Sequence, residues 1–196
     1  MHLSRISRIT FCLLLLAPAL VVRAQELHAA QSPRIDVSIT FDAERSLRSA
    51  TPESFWMQGG SIELGTNTWR GLGIVANVTG AHTGAIGESS IPLSIVTTTF
   101  GPRYRWHADH RVSIYVEGLI GEGNGFKSLF PTVRGSETSA NSLAAQAGGG
   151  LDYRLSQHVA VRAVEAAWQH TQLPNGTNNA QNDLRLGAGI VVGFGR

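Results

Sequence analysis

The residues best suited to bind a metal are two histidines and an aspartate in the segment His107-Ala-Asp-His110. Two imidazoles and a carboxylate can hold a zinc ion when a further ligand is anchored beside them. Here the spacing is that of a tight polar turn, and the sequence anchors no further ligand next to it. We therefore predict a turn and no metal site.

A catalytic set would need a nucleophile, a base and an orienting group that converge at one end of the fold. The candidates near the longer predicted connections are His82 and His170, and Ser89, Ser90 and Asp183 could be recruited beside them. Their spacing does not indicate a triad, so we predict that the protein is not an enzyme. The glycine-rich segment 121–125 lacks the Lys and Ser/Thr of a phosphate-binding loop. We therefore expect no cofactor and interpret this segment as the start of a flexible loop.

The N-terminus has the pattern of a secretory signal peptide. Arg5 and Arg8 precede an apolar stretch over 11–22, and Ala24 provides a small residue at the usual cleavage spacing. About a dozen apolar residues are too few for a spanning helix, which needs roughly 20. We predict a signal peptide at 1–24 and a mature barrel domain at 25–196.

Cleavage would also remove the excess of basic residues and the single cysteine of the whole chain. Loss of Arg5, Arg8 and Arg23 leaves 13 of the 16 basic residues against 14 acidic ones, so a nucleic-acid partner is not expected. Cys12, the only cysteine, lies in the signal peptide. The mature chain would therefore have neither a disulfide nor a thiolate.

Beyond residue 34, apolar and polar residues repeatedly alternate, which is the pattern of β-strands with two unlike faces. The clearest segments are 35–42, 72–79, 112–120 and 184–194, and weaker candidates cover 55–64, 93–106, 143–154 and 159–171. About eight strands of roughly ten residues are the smallest set expected of a membrane barrel. We predict an all-β fold, an eight-stranded antiparallel up-and-down transmembrane β-barrel.

The predicted connections alternate in length. Segments 65–69, 107–110 and 155–158 are short, whereas 43–54, 80–92, 123–141 and 172–181 are longer. Outer-membrane barrels have tight periplasmic turns and longer external loops. The alternation favours that architecture and predicts that the short turns are periplasmic.

The strand pattern also predicts which side chains face the lumen. Eight charged residues lie on the face opposite the apolar set of their own strand: Asp36, Glu63, Arg103, Arg105, Glu117, Asp152, Arg154 and Arg185. Buried charges are tolerated when they are paired. Four acids and four bases therefore predict a lumen plugged by a salt-bridge network.

Two charges do not fit this assignment. Arg162 and Glu165 lie on opposite faces of one predicted strand, so both can be lumenal only if the strand contains a bulge. The alternative is that Arg162 extends to the membrane interface.

Aromatic residues are expected at the two membrane interfaces. Tyr104, Trp106 and Tyr153 lie near short turns on the apolar face, and Trp56 and Trp168 are candidates for the outer belt.

Two segments resemble OmpA-like outer membrane β-barrels. The first is Gly-Gly-Gly-Leu-Asp-Tyr-Arg-Leu-Ser over 148–156, followed by a short turn and Val-Ala-Val-Arg-Ala-Val-Glu over 159–165; the second, Gly-Pro-Arg-Tyr over 101–104, is similar to the family's fourth strand. The resemblance covers the barrel domain only, with no peptidoglycan-binding domain, so a cell-wall tether is not expected from it. It also implies insertion by the barrel-assembly machinery, although the chain ends Phe194-Gly-Arg196 instead of on an aromatic residue.

These features predict a cell outer membrane protein with a structural or surface-interaction role. Its expected partners are outer membrane lipids and, during biogenesis, the assembly machinery, while any surface partner is unidentified. Two alternatives stay open: a small diffusion pore, and a soluble lipocalin-like periplasmic binding protein with apolar residues inside.

Overall fold

The computed structural model describes residues 34–48, 54–68 and 70–195, so the predicted signal peptide lies outside the described residues. Eight strands form: β1 Ile35–Arg48, β2 Trp56–Thr66, β3 Leu72–Thr83, β4 Leu93–Trp106, β5 Val112–Thr132, β6 Gly135–Arg154, β7 Val159–Thr171 and β8 Gln181–Phe194. Within the described residues, no helix is long and apolar enough to cross a membrane.

The strands close into one barrel in sequence order, and β8 pairs with β1. Every pairing is antiparallel. Ile35, at the start of β1, is opposite Thr66 at the end of β2 and opposite Phe194 at the end of β8. Closure leaves no free strand edge around the barrel wall, so backbone N–H and C=O groups there pair with neighbouring strands, as a hydrocarbon environment requires. The predicted fold class is confirmed.

The two ends of the barrel differ. We call the end with the connections after β2, β4 and β6 the turn end, and the end with the connections after β1, β3, β5 and β7 the loop end. The prediction of a long flexible loop over 123–141 was wrong, because β5 and β6 continue through it to a two-residue connection at Val133 and Arg134. The glycine-rich segment 121–125 therefore lies within β5 and not at the start of a loop.

The outer face of the barrel is apolar. Ile39, Ile74 and Phe100 are each more than three-fifths exposed, whereas Asn77, Thr97 and the other inward side chains near the middle of the strands are buried and mostly polar. A soluble lipocalin-like barrel would have the opposite arrangement. The apolar outer face matches that of a barrel surrounded by lipid.

Candidate functional site

The lumen contains a cluster of charged side chains around one tyrosine. Tyr115 extends inward from β5 and is fully buried. The guanidinium carbons of Arg103 and Arg162 each lie 4.5 Å from its ring centroid, and that of Arg105 lies 5.5 Å away. These distances allow cation–π contacts, which strengthen where water is excluded.

Arg103, from β4, joins three other strands to its own. Its Nη2 lies 2.5 Å from Glu63 Oε1 and 2.6 Å from Glu117 Oε2, and its Nη1 lies 3.5 Å from Asp36 Oδ1. The three carboxylates come from β2, β5 and β1. One planar guanidinium, with donors pointing in several directions, thus links opposite walls of the barrel.

Arg162 repeats this arrangement from β7. It lies 3.1 Å from Glu63, 3.0 Å from Asp152 and 2.7 Å from Glu165. It also donates a 3.1 Å hydrogen bond to Ser38 Oγ. The side chain of Arg162 is therefore inside the lumen and does not extend to the membrane interface.

A β-bulge in β7 places both Arg162 and Glu165 inside. Ala163 and Val164, which separate them, both face outward, and the register with β8 shifts between Arg162 and Glu165. An extra residue in one strand resets the alternation of faces. Regular alternation would place Arg162 and Glu165 on opposite faces of β7, and the bulge instead places both side chains on the lumenal face.

Two further arginines complete the cluster. Arg105 lies 2.6 Å from Asp152 and 3.6 Å from Asp36, and Arg185 lies 2.8 Å from Glu165. Arg185 also donates a hydrogen bond to Thr79 Oγ1 on β3. We call the ion-paired residues together with Tyr115 the ion-pair core: Asp36, Glu63, Arg103, Arg105, Tyr115, Glu117, Asp152, Arg162, Glu165 and Arg185.

The structure brings together seven of the eight charged residues expected in the lumen. The exception is Arg154, which lies at the turn end and donates hydrogen bonds to the backbone carbonyls of Ala108 and Asp109. Sequence reasoning missed Tyr115, although its inward parity was visible. It left Arg162 and Glu165 unassigned because an alternating pattern does not reveal a bulge.

The buried charges are less balanced than the sequence suggested. Among the described residues, eight buried acids face four buried arginines. Three of the acids, Asp42, Glu44 and Asp183, take no part in any of the nine ion pairs that join described residues. We call these three residues the acidic layer; they lie in the half of β1 and β8 that is nearer the loop end, with Glu44 opposite Arg185 of the ion-pair core.

Between the acidic layer and the loop end, the side chains that fill the lumen are mostly apolar. Seven apolar side chains pack together there, and we call them the apolar cap: Phe55, Met57, Ala81, Leu93, Ile95, Phe130 and Leu173. Their inward position was not expected, since the inner face of a membrane barrel is usually polar. From the turn end to the loop end the lumen is thus ionic, then acidic, then apolar.

The predicted interfacial aromatics all have exposed side chains on the outer face. Tyr104 and Trp106 lie at the turn end and contact each other edge to face, with ring centroids 4.5 Å apart. Tyr153 lies near the same end, whereas Trp56 begins β2 at the loop end and Trp168 lies near the loop end of β7.

The histidine pair lies in the β4–β5 turn. The His107 and His110 rings contact each other edge to face, with centroids 5.1 Å apart. Within the described part of the chain, no group of three or more His, Cys, Asp or Glu side chains is arranged to hold a metal ion.

The chain matches a known protein family over nearly its whole length. The family profile for the outer membrane protein β-barrel domain matches residues 12–195. No curated protein matches the chain by sequence.

Solved structures share the fold at low sequence identity. Neisserial surface protein A (NspA) aligns with a TM-score of 0.63 at 14% identity, over 84% of this chain and 99% of that one. Ail, the attachment invasion locus protein of Yersinia pestis, aligns with a TM-score of 0.55 at 17% identity, over 82% and 99%. OprG from Pseudomonas aeruginosa aligns with a TM-score of 0.52 at 8% identity, over 86% and 99%.

Proposed function

Because the chain belongs to the outer membrane protein β-barrel domain family, we propose that it is a closed, non-catalytic barrel that acts through its loop-end surface. The protein is located in the outer membrane, where its apolar face contacts lipid. The part of the role that we propose is surface contact, made chiefly by the hairpin between β5 and β6. Insertion by the barrel-assembly machinery belongs to the same proposal.

The observation that carries this proposal is the length of that hairpin. β5 has 21 residues and β6 has 20, whereas the other six strands have 11 to 14. Pairing of β5 with β4 stops at Phe126, and pairing of β6 with β7 begins at Ala144. The six further residues of β5 contain a bulge between Phe126 and Phe130, so the rise follows the four facing residues of β6, 135–138, and is about 13 Å at the usual spacing of a strand. The hairpin therefore projects beyond the barrel wall.

The surface of the hairpin is suited to a protein partner. Val133 at its tip is fully exposed, and Leu129 is more than half exposed. Both edges of the projecting part carry backbone groups that no neighbouring described strand pairs with. Free strand edges beside apolar side chains can add a strand from another protein.

The contents of the lumen support surface contact over diffusion. The ion-pair core and the apolar cap lie one above the other, and an eight-stranded barrel encloses only enough space for side chains. A pore would need a continuous polar path past both layers. We therefore do not propose the diffusion pore as a second function.

The test compares cells that make the full barrel with cells that make a trimmed one. In the trimmed variant Asn-Gly replaces residues 127–138, because Phe126 and Ser139 are paired and a two-residue turn can close the hairpin there. Cell–cell aggregation and attachment to protein-coated surfaces are measured in a strain lacking the native protein. We expect the trimmed barrel to insert normally and both kinds of contact to be lost.

A matched variant separates hairpin length from its apolar side chains. Leu129→Asn with Val133→Asn keeps the hairpin and its strand pairing, so attachment should fall but not vanish if the free edges also contribute. Attachment equal to wild type with the trimmed barrel would refute the surface-contact role. If only the full deletion raises sensitivity to detergent, the protein instead stabilises the envelope through its barrel.

A further inference from the structure

A small cavity lies inside the loop end of the barrel. Its volume is about 150 Å³, and its walls include Phe55, Met57, Leu93, Ile95, Phe130 and Leu173. An apolar cavity of that size can hold a molecule as large as benzene. The walls alone would thus accept one aromatic ring or a short branched alkyl group.

The end of this cavity that faces the turn end of the barrel is acidic. Asp183 lines it, is only 1% exposed, and its Oδ2 has no hydrogen-bond partner. Glu44, equally buried, has no partner for either carboxylate oxygen. In the β1–β8 register Asp183 is opposite Ser46 and Arg185 is opposite Glu44. Glu44 and Asp183 are therefore diagonal neighbours on one face, with Cα atoms roughly 7–8 Å apart.

The nearest arginine is already bound elsewhere. Arg185 Nη2 lies 2.8 Å from Glu165, and its Nη1 donates to Thr79. Buried carboxylates without a partner are costly, because neither water nor a counter-charge replaces their hydration. Among the described residues, no arginine or lysine forms an ion pair with the acidic layer, and the apolar cavity lies beside its member Asp183.

We propose that the cavity binds a small apolar amine. Its ring or alkyl group lies between Phe55, Phe130 and Leu173, and its ammonium group donates a hydrogen bond to Asp183. A bare metal ion fits less well, since most of the lining side chains are apolar and Asp183 is the one carboxylate among them. The hairpin contributes the inward side chains of Ser128 and Phe130 to this site, whereas the proposed surface contact uses the outward side chains of Leu129 and Val133, so the site does not depend on the proposed surface-contact role.

The direct test is a titration of the barrel in phospholipid nanodiscs with benzylamine, measured by calorimetry. Empty nanodiscs correct for partition into lipid, and detergent is avoided because its alkyl chains could fill the cavity. Benzyl alcohol has the same ring and no charge. We expect saturable binding of benzylamine and at least roughly tenfold weaker binding of the alcohol, the factor expected for a charge-assisted hydrogen bond.

Three variants locate the site. Asp183→Asn keeps the shape and removes one charge, so it should weaken benzylamine binding roughly tenfold or more. Ser128→Phe should abolish binding by filling the cavity, which Ser128 also lines. Glu88→Gln, at an exposed loop-end acid outside the cavity, should bind as wild type does. Heat-modifiable gel migration verifies that each variant is folded.

Several results would overturn the proposal. These are equal binding of the amine and the alcohol, wild-type affinity in folded Asp183→Asn, and no binding of benzylamine at all. A response to calcium chloride that depends on Asp183, with none to benzylamine, would show an inorganic cation site and refute the organic ligand. The Leu129→Asn, Val133→Asn variant keeps Ser128 and Phe130 in the cavity wall and should bind benzylamine as wild type does, so failure of either proposal can be recognised without the other.

Discussion

The Tyr115 hydroxyl donates a 2.8 Å hydrogen bond to Glu165 Oε2 and so joins β5 to β7 across the lumen. The same carboxylate lies 2.7 Å from Arg162 and 2.8 Å from Arg185. Glu165 is thus the acceptor shared by three buried donors from three strands. It lies next to the bulge that turns it inward, so the irregularity in β7 positions the centre of the ion-pair core.

Glu165→Gln should destabilise the barrel far more than Tyr115→Phe. The amide leaves Arg162 and Arg185 without this carboxylate, and removing one partner of a buried ion pair costs about 3 kcal/mol or more. Tyr115→Phe removes one hydrogen bond from a carboxylate that keeps two arginines, at a cost of about 1 kcal/mol. Urea unfolding in lipid vesicles gives both free energies of unfolding. Equal costs would contradict the central position of Glu165.

The strands and their faces could be predicted because lipid imposes a strict alternation. Wherever a strand crosses the membrane, its outer side chains must be apolar, as Ile35, Val37 and Ile39 are in β1. That constraint ends at the edge of the membrane. The upper parts of β5 and β6 are rich in Ser, Thr and Gly, so the projecting hairpin had the composition of a loop.

The candidate site was only partly predictable for related reasons. Glu44 falls in the predicted loop 43–54, and Asp183 falls between the predicted loop 172–181 and the predicted strand 184–194, since no apolar alternation marked either residue as strand. The apolar cap was hidden because Met57 and Ile95 point inward, where the expected pattern is polar. Both the acidic layer and the apolar cap depend on which side chains meet inside the closed barrel, and strand periodicity does not show this.

The wild-type barrel should show no stable conductance in planar lipid bilayers. The ion-pair core and the apolar cap both obstruct the axis, and water-excluded ion pairs are screened little by added salt. The current should therefore stay at background in both low and high salt. An open porin inserted in the same membranes is the positive control. Repeated unit-sized current steps from the pure protein would contradict a closed lumen.

Glycine at position 101 should be essential for closure of the barrel. A Cβ at Gly101 would lie 2.1 Å from the carbonyl oxygen of Gly118 on the neighbouring strand, a contact that requires the backbone to move. A Cβ at Gly118 would meet no atom within 4 Å. We expect Gly101→Ala to lower the folded fraction sharply and Gly118→Ala to fold as wild type. Heat-modifiable migration measures both, and normal folding of Gly101→Ala would show that the strands are less closely packed.

The depth of a residue on the outer face should set the cost of placing a charge there. Val112 and Val116 are both outward, with exposed fractions of 44% and 45%, but Val112 begins β5 at the turn end. Four residues separate them by about 13 Å along the strand. Arginine at the bilayer midplane costs about 2–4 kcal/mol, and near the interface about 0–1 kcal/mol.

Val116→Arg should therefore destabilise the barrel by about 2 kcal/mol or more, while Val112→Arg should change its stability little. The two variants share residue type, strand and exposure, so the difference between their free energies of unfolding in lipid vesicles isolates depth. Equal costs would mean that the membrane does not surround this face as the apolar pattern indicates.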